Sequence, residues 1–251
     1  MSSWPDLAAE LARWRAAGRV PRFWWRDDDA VAPSAALDRL LAIVAAQRLS
    51  PALAVIPACA APALAERLNG QPIALLQHGY AHQNHAPPGE KKAELAAHRP
   101  VPNMLAELRR GAERLAALFG ANTRVLVPPW NRIDARLVEA LPAGGFTGLS
   151  SYRPRPTAHP TRGLTMVNCH VDIVDWRERR FVGEATALGL ALGHLAARRA
   201  GLADPDEPTG LLTHHALNEP EAWRFVETLV DNVRAGGGYW IAADELFAAP
   251  S

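Results

Sequence analysis

The sequence predicts an α/β fold built on a parallel sheet that closes into a barrel. Apolar runs with strand character alternate about seven times with stretches of helical periodicity, an order typical of parallel sheets. The length of 251 residues fits one closed barrel better than two small domains. No internal repeat and no long linker interrupts the alternation, so we expect one domain over residues 1–251.

The first half of the chain begins with a helix and then a strand that leads into three aspartates. Leu7, Leu11 and Trp14 recur at helical spacing before Gly18, and residues 22–26 form the next apolar run. Asp27, Asp28 and Asp29 follow that run. The other predicted elements of this half are a helix over 37–44, a strand over 53–56, a short helix to 68 and a strand over 73–76 that runs into His78.

The second half continues the alternation. A long helix over 104–119 ends at Gly120, and the strand Val125–Val127 stops at two prolines, which cannot continue a ladder. The polar stretch 152–162 is predicted to be a loop. The remaining predicted elements are strands over 146–149 and 167–171, a helix over 185–199, a strand over 210–213, a helix over 223–233 and a strand over 239–241.

The composition limits the kinds of molecule that the protein is expected to bind. The chain has 27 basic and 26 acidic residues, so its charge gives no reason to expect nucleic acid, and a small-molecule or glycan substrate is expected instead. The first residues lack the pattern of a signal peptide and no apolar run is long enough for membrane insertion, so we predict a cytoplasmic protein. Cys59 and Cys169 stand alone, so a bound metal would need histidine and carboxylate ligands.

Polar side chains follow four of the predicted strands. Because the carboxyl ends of parallel strands meet at one edge of the sheet, we expect these four sets to converge on one pocket. One carboxylate and two imidazoles form a common ligand set for catalytic zinc or a related divalent ion. The sets are Asp27–Asp29, His78 with His82 and His85, Pro128–Arg132, and His214–His215.

Each set also has a plainer interpretation. An aspartate run is ordinarily a solvated loop or a helix cap, and single histidines are often structural. For His85 a supporting or surface role is preferred over metal binding. Three further histidines, His98, His159 and His194, belong to none of these sets and are expected at the surface.

At these residues the chain resembles the polysaccharide deacetylases of carbohydrate esterase family 4. The first motif of that family is a pair of aspartates, a base followed by a metal ligand, and Asp27–Asp28–Asp29 is similar to it. The resemblance implies Asp27 as the base and Asp28 as the ligand, whereas a register shifted by one would select Asp28 and Asp29. The second motif, two histidines separated by three residues, resembles His78–His82.

The other three motifs are matched with departures. The third reads arginine, any residue, proline, aromatic, whereas Val127–Trp130 lacks the arginine, and Arg26 or Arg132 is expected to supply the guanidinium. The fourth resembles Asp172 to Trp176, with Asp175 as its second aspartate. The fifth resembles Leu211–His214, with His215 where aspartate is common.

The resemblance implies a deformed (β/α)7 barrel and a metal-dependent hydrolase that removes an acyl group, expected to be N-acetyl, from a sugar or related small amide. The implied cofactor is one divalent metal, with zinc as the expected ion, held by Asp28, His78 and His82. Asp27 would act as base and His214 as acid. The implied substrate-binding or supporting residues are Arg26, Asp29, Trp130, Asn131, Arg132, Asp172, Asp175, Trp176 and His215.

Two other functions remain open on the sequence. The missing arginine, together with Asp29 and His215 at unusual places, would suit a binding protein on the same fold that has lost turnover. Barrel folds host many chemistries, so a hydrolase of a non-carbohydrate C–N bond is the other alternative.

Overall fold

The apolar run at Phe23–Trp25 forms the centre of a curved parallel sheet, to which most other strands attach in turn. The computed structural model describes residues 1–120 and 124–248. Its strands are β1 (Arg22–Ala30), β2 (Ala52–Val55), β3 (Ala74–His78), β4 (Val125–Val127), β5 (Gly148–Leu149), β6 (Thr165–Met166), β7 (Val171–Asp172), β8 (Val174–Asp175), β9 (Arg180–Phe181), β10 (Thr209–Thr213) and β11 (Tyr239–Trp240).

The spatial order of the main sheet is β6-β5-β4-β3-β2-β1-β10-β7, and β11 pairs with the first residues of β1. The pairs in this sheet are parallel, and β8 and β9 form a separate antiparallel hairpin. The first and last strands of the order, β6 and β7, are joined by only four residues. The sheet therefore curves back towards itself, and the predicted α/β architecture with a parallel sheet is confirmed.

Helices cover the outer side of the sheet. They are α1 (Trp4–Ala16), α2 (Ala35–Gln47), α3 (Pro62–Leu68), α4 (Val101–Phe119), α5 (Ala135–Ala140), α6 (Glu184–Arg199), α7 (Pro220–Ala235) and α8 (Ala243–Leu246). The helices predicted from periodicity lie where expected, and the prediction missed the short α5 and α8. Among the described residues, no helix combines the length and the apolar character that a membrane crossing requires.

The predicted strand over 167–171 is wrong as a single element. The N–H of Val167 donates to Leu149 on the β5 side, whereas the N–H of His170 donates to Gly210 on the β10 side. The segment thus crosses from one neighbouring strand to the other. One extended ladder cannot make both sets of bonds, so the strands β6 and β7 lie on either side of the crossing and only Val171 of the predicted stretch belongs to one of them.

β1 extends further than predicted and contains all three aspartates. Successive side chains of a strand point to opposite faces, and the two tryptophans of β1 show the alternation. Trp25 packs in the cluster formed with the outer helices, whereas Trp24 packs in a separate cluster with residues of β2, β4 and β10. Because Arg26 and Asp28 share the face of Trp24, they point into the barrel, and Asp27 points towards the helices with Trp25.

Candidate metal centre and catalytic cavity

The carboxyl ends of β1, β3, β4 and β10 surround a cavity of about 300 Å³. The four polar sets of the sequence all contribute to it, as parallel strands require. The lining residues are Asp28, Asp29, His78, His82, Trp130, Asn131, Arg132, Trp176 and His214. Asp27, Asp172, Asp175 and His215 are not among them.

An irregularity in β1 brings two consecutive aspartates to this cavity. The pairing of β1 with β2 changes register between Asp27 and Ala30, and Asp29 lies in the left-handed region with φ +69°. Such an irregularity interrupts the alternation of a strand and re-aims a side chain. Asp28 and Asp29 therefore both line the cavity, although regular strand geometry would separate them.

Asp29, His78 and His82 converge on one point. The Nε2 atoms of His78 and His82 lie 3.1 and 3.4 Å from Asp29 Oδ1. His78 Nδ1 lies 3.0 Å from the carbonyl oxygen of Val127, which only accepts, so Nδ1 carries the ring proton. In the neutral ring, Nε2 then presents a lone pair to the carboxylate oxygen. Two facing lone pairs need a cation between them, so this donor set fits a divalent metal ion.

The three groups shift one another's pKa values. Burial disfavours a charged imidazole, but the neighbouring carboxylates of Asp29 and Asp28 outweigh it and raise the pKa of His78. Burial would raise the pKa of Asp29, yet the surrounding histidines hold it well below its usual value. Burial and the charge of His78 lower the pKa of His82.

Glu94 fixes the turn that leads to His82, and no sequence pattern pointed to this residue. Its two carboxylate oxygens accept the N–H groups of Tyr80 and Ala81 at 3.1 and 2.8 Å. Gly79 passes so close that an added Cβ would lie 2.0 Å from Glu94 Oε2. Gly79 also has φ +57°, a conformation that favours glycine. The relative placement of His78 and His82 thus depends on Glu94, which follows a loop without apolar periodicity.

Arg26 binds Asp28 with both ends of its guanidinium. Nε donates to Oδ1 at 2.8 Å and Nη2 donates to Oδ2 at 3.0 Å, and both side chains are buried. Arg26 also donates to the side chains of Ser150 and Asn131. Arg132, the other predicted source of the guanidinium, instead donates to the carbonyl oxygen of Lys92. Of the two predicted sources, Arg26 is therefore the one whose guanidinium contacts an aspartate of the cavity.

Asp27 lies on the other face of β1, and its carboxylate is hydrogen-bonded to two side chains near the end of β10. Its carboxylate accepts the hydroxyl of Thr213 and Nδ1 of His215, each at 2.5 Å. The resemblance implied Asp27 as the base and Asp28 as the ligand, or Asp28 and Asp29 in a register shifted by one. The structure turns Asp27 away from the cavity, pairs Asp28 with Arg26, and places Asp29 beside the histidines.

His214 lines the same cavity as the three converging groups. Its ring meets Trp176 edge to face, with centroids 4.6 Å apart. Trp176 Nε1 donates to Asp172 Oδ2 at 2.7 Å. Asp172 therefore holds the tryptophan in place but does not itself line the cavity. Burial raises the pKa of Asp172. Asp175 accepts the N–H groups of Arg177 and Glu178 and thereby caps the β8–β9 turn.

Backbone strain is concentrated at the cavity. Of the seven non-glycine residues with positive φ in the described ranges, four line it: Asp29, His82, Trp130 and Asn131. Each costs about 1–3 kcal/mol, and such residues are typically retained where function requires the conformation. The rings of Trp130 and His82 also lie 4.3 Å apart, so the strained loop holds one wall against a converging histidine.

A second buried cluster, His170, His194 and Glu207, has a similar composition. The rings of His170 and His194 stack with centroids 3.4 Å apart and an interplanar angle of 11°. The Gly210 N–H donates to His170 Nδ1, so the proton of the neutral ring is on Nε2, facing Glu207 at 3.3 Å. Nε2 thus has no lone pair for a metal. The nearby charge of Arg198 further opposes a cation.

His194 was expected at the surface, and this prediction is wrong, because its ring is 5% exposed. His98 and His159 are exposed as predicted. His194 lies on α6, whose alanine-rich sequence has no clear apolar stripe that would show which face packs against the sheet. Nothing in the sequence identified Glu207 and His170, its neighbours in the cluster.

The burial of His194 predicts acid sensitivity. Burial, then the charges of His170 and Arg198, lower the pKa of His194 from 6.5 to about 2. Below pH 6.5 the unfolded chain therefore binds a proton that the folded chain does not. The free energy of unfolding should fall with decreasing pH by up to about 1.4 kcal/mol per unit from this group.

Urea unfolding between pH 7 and pH 5 tests this expectation. His194→Gln should reduce the pH slope of the unfolding free energy by about one proton. The exposed His159→Gln is the matched control and should leave the slope unchanged. An unchanged slope in His194→Gln would contradict the proposed cause.

Comparison with known proteins extends these observations. No protein-family model matches the sequence, and no curated protein matches it significantly. Among solved structures, 68 chains match. A protein from Mycobacterium smegmatis described as a polysaccharide deacetylase is 17% identical, with TM-score 0.70, over 91% of this chain and 88% of that one.

Two further structures illustrate the range of matches. A family 4 acetyl xylan esterase from Clostridium thermocellum, in complex with a cobalt ion, is 13% identical, with TM-score 0.57, over 90% of both chains. A pseudoenzyme of the same family from Bacillus anthracis is 12% identical, with TM-score 0.61, over 91% of this chain and 66% of that one. The predicted deformed (β/α)7 barrel is confirmed, and the chain has the fold of the polysaccharide deacetylases of carbohydrate esterase family 4.

Proposed function

We propose that the protein is a metal-dependent hydrolase that removes an acetyl group from the amide nitrogen of a sugar or a related small amide. One observation carries the proposal. A converging Asp29–His78–His82 set, a carboxylate fixed by arginine and a histidine line the same cavity. The names of the structurally similar proteins, deacetylases and acetyl esterases, support the reaction class.

Asp29, His78 and His82 would hold the divalent ion, with zinc as the expected metal. The ion would supply Lewis acidity, which polarises the acyl carbonyl and makes water a better nucleophile at neutral pH. The Val127 carbonyl holds His78 in the required tautomer, and the turn bound by Glu94 positions the backbone that leads to His82. These contacts would preorganise the ligands.

Asp28 would take the proton from the attacking water. It adjoins the ligand Asp29 in the chain and lines the same cavity, whereas Asp27 does not. The bidentate contact with Arg26 fixes the orientation of its carboxylate and compensates its charge in a buried site. The proposal therefore adopts the register shifted by one.

His214 would donate a proton to the leaving nitrogen. An amine leaves poorly as an anion, so this proton transfer is worth roughly 100- to 10,000-fold in rate. Trp130 and Trp176 would form apolar walls around the sugar ring or the acetyl methyl group. A cavity of about 300 Å³ accommodates a single ring with its acyl group.

Metal content together with acetate release tests the proposal. The protein should retain about one divalent ion per chain, and His82→Ala should lose it, because a three-ligand site would keep only two protein ligands. His194→Gln is the matched control from the second cluster and should keep the ion. Two ions per chain, or an unchanged content in His82→Ala, would contradict this assignment.

The same preparation separates the alternative functions. Acetate release from acetylated amino sugars, compared with cyclic and linear amides, distinguishes a sugar deacetylase from a hydrolase of another C–N bond. A protein that binds metal but hydrolyses none of them would be a binding protein, like the pseudoenzyme fold relative. The missing arginine of the third motif had suggested a binding protein. The contact between Arg26 and Asp28 speaks against that outcome, because it offers a guanidinium from another position in the chain.

A further inference from the structure

Asp27 binds the residues on both sides of His214. Its two carboxylate oxygens accept the Thr213 hydroxyl and the His215 Nδ1–H, each at 2.5 Å. Thr213 and His215 immediately precede and follow the proposed acid in the chain. One side chain of β1 thus holds the chain at the end of β10, directly before and directly after His214.

These contacts are buried. Asp27 and Thr213 are 0% exposed and His215 is 4% exposed. Asp27 also faces Thr213 directly in the parallel ladder of β1 and β10. The indole of Trp25 donates to the Thr213 hydroxyl at 2.8 Å, which leaves that hydroxyl's proton for Asp27. The network therefore has defined donors and acceptors at every step.

His214 has less support of its own. Its Nδ1 is buried and has no hydrogen-bond partner in the described part of the chain. Its ring rests against Trp176, which is itself 50% exposed. The position of the imidazole therefore depends on its backbone, and the backbone is held by Asp27 through the two flanking residues.

We propose that Asp27 is a positioning residue that sets the placement of the general acid His214 relative to the reacting nitrogen. The inference rests on the proposed hydrolase function and adds to it a role for the aspartate that does not reach the cavity. A displacement of about 1 Å in a catalytic group lowers rates by roughly 100-fold. The effect should be confined to steps that need the acid.

The leaving group separates this role from a general structural one. An amide nitrogen must be protonated as it departs, whereas 4-nitrophenolate is a stable anion that needs no acid. A variant with a misplaced acid should therefore lose hydrolysis of an acetylated amino sugar and largely retain hydrolysis of 4-nitrophenyl acetate. Loss of metal, of the base or of the fold would lower both rates together.

The test compares Thr213→Val with Thr213→Ser. Valine has the shape of threonine without the hydroxyl, and serine keeps the hydroxyl. Thr213→Val should lower kcat for the amide by about 10- to 100-fold with unchanged metal content and KM, and should change aryl ester hydrolysis by less than about 3-fold. Thr213→Ser should stay near wild type for both substrates. Asp27→Asn should show the same selective loss, and exposed Asp38→Asn should show none.

Each other result overturns the inference. Equal losses for both substrates in Thr213→Val, no loss at all, or an equal loss in Thr213→Ser would show that Asp27 does not act through His214. If Thr213→Val does not fold, Asp27→Asn decides by the same comparison. A wild-type protein that hydrolyses neither substrate would instead overturn the proposed function, and this inference with it.

Discussion

Asp29→Asn is expected to abolish stoichiometric metal binding, whereas Asp28→Asn should keep the metal and lose activity. Asp29 is the carboxylate beside both Nε2 atoms, and asparagine offers no negative charge to the ion. Asp28 contacts Arg26 instead, and loss of a general base should lower kcat by about 100- to 10,000-fold. Metal analysis after dialysis and acetate-release kinetics measure the two effects.

The three aspartates provide matched controls for one another. Asp27→Asn makes the same chemical change one residue earlier and should keep the metal, because its carboxylate lies on the other face of β1. Loss of the metal in Asp28→Asn, with retention in Asp29→Asn, would restore the unshifted register and refute the ligand set proposed from the geometry.

Arg26→Met is expected to lower the free energy of unfolding by about 3–5 kcal/mol. The ion pair is almost fully buried, with Arg26 0% and Asp28 2% exposed. Burial would lower the pKa of Arg26, but Asp28 outweighs it and raises that pKa, so the pair is mutually dependent. Removal of the cation leaves a buried carboxylate without compensation. Urea unfolding in the presence of a chelator measures this cost without metal linkage.

Two variants check the cause. Arg132→Met removes the other candidate guanidinium, which bonds only a carbonyl oxygen among the described residues, and should change stability by about 0.5 kcal/mol or less. The double variant Arg26→Met with Asp28→Leu should recover much of the loss, because no unpaired charge remains. If Arg132→Met were the more damaging change, the assignment of Arg26 would be wrong.

The convergence of the site was predictable from the sequence. Polar sets directly after apolar runs mark strand ends, and parallel topology brings strand ends together whatever their separation in the chain. Asp28, His78, Trp130 and His214 accordingly line one cavity. The resemblance to the third motif left Arg26 and Arg132 as sources of the missing guanidinium, and of these two it is Arg26 that contacts Asp28.

Contacts between distant loops were beyond the sequence. Glu94 and the cluster of His170, His194 and Glu207 lie in segments without apolar periodicity or a repeated spacing. Their partners are chosen by packing of elements far apart in the chain. The crossing of residues 167–170 between two strands likewise replaced a predicted strand, because backbone pairing depends on which neighbours the fold supplies.

The sequence by itself determined the fold class, the edge of the sheet where chemistry gathers and the residue types that meet there. Only the tertiary structure decided which groups each aspartate contacts. Regular alternation would place Asp27 and Asp29 on one face, but the left-handed backbone at Asp29 and the register change against β2 turn its carboxylate into the cavity. Asp27 therefore meets His215, Asp28 meets Arg26 and Asp29 meets the histidines, because the local backbone path, not the order of residues, directs each side chain.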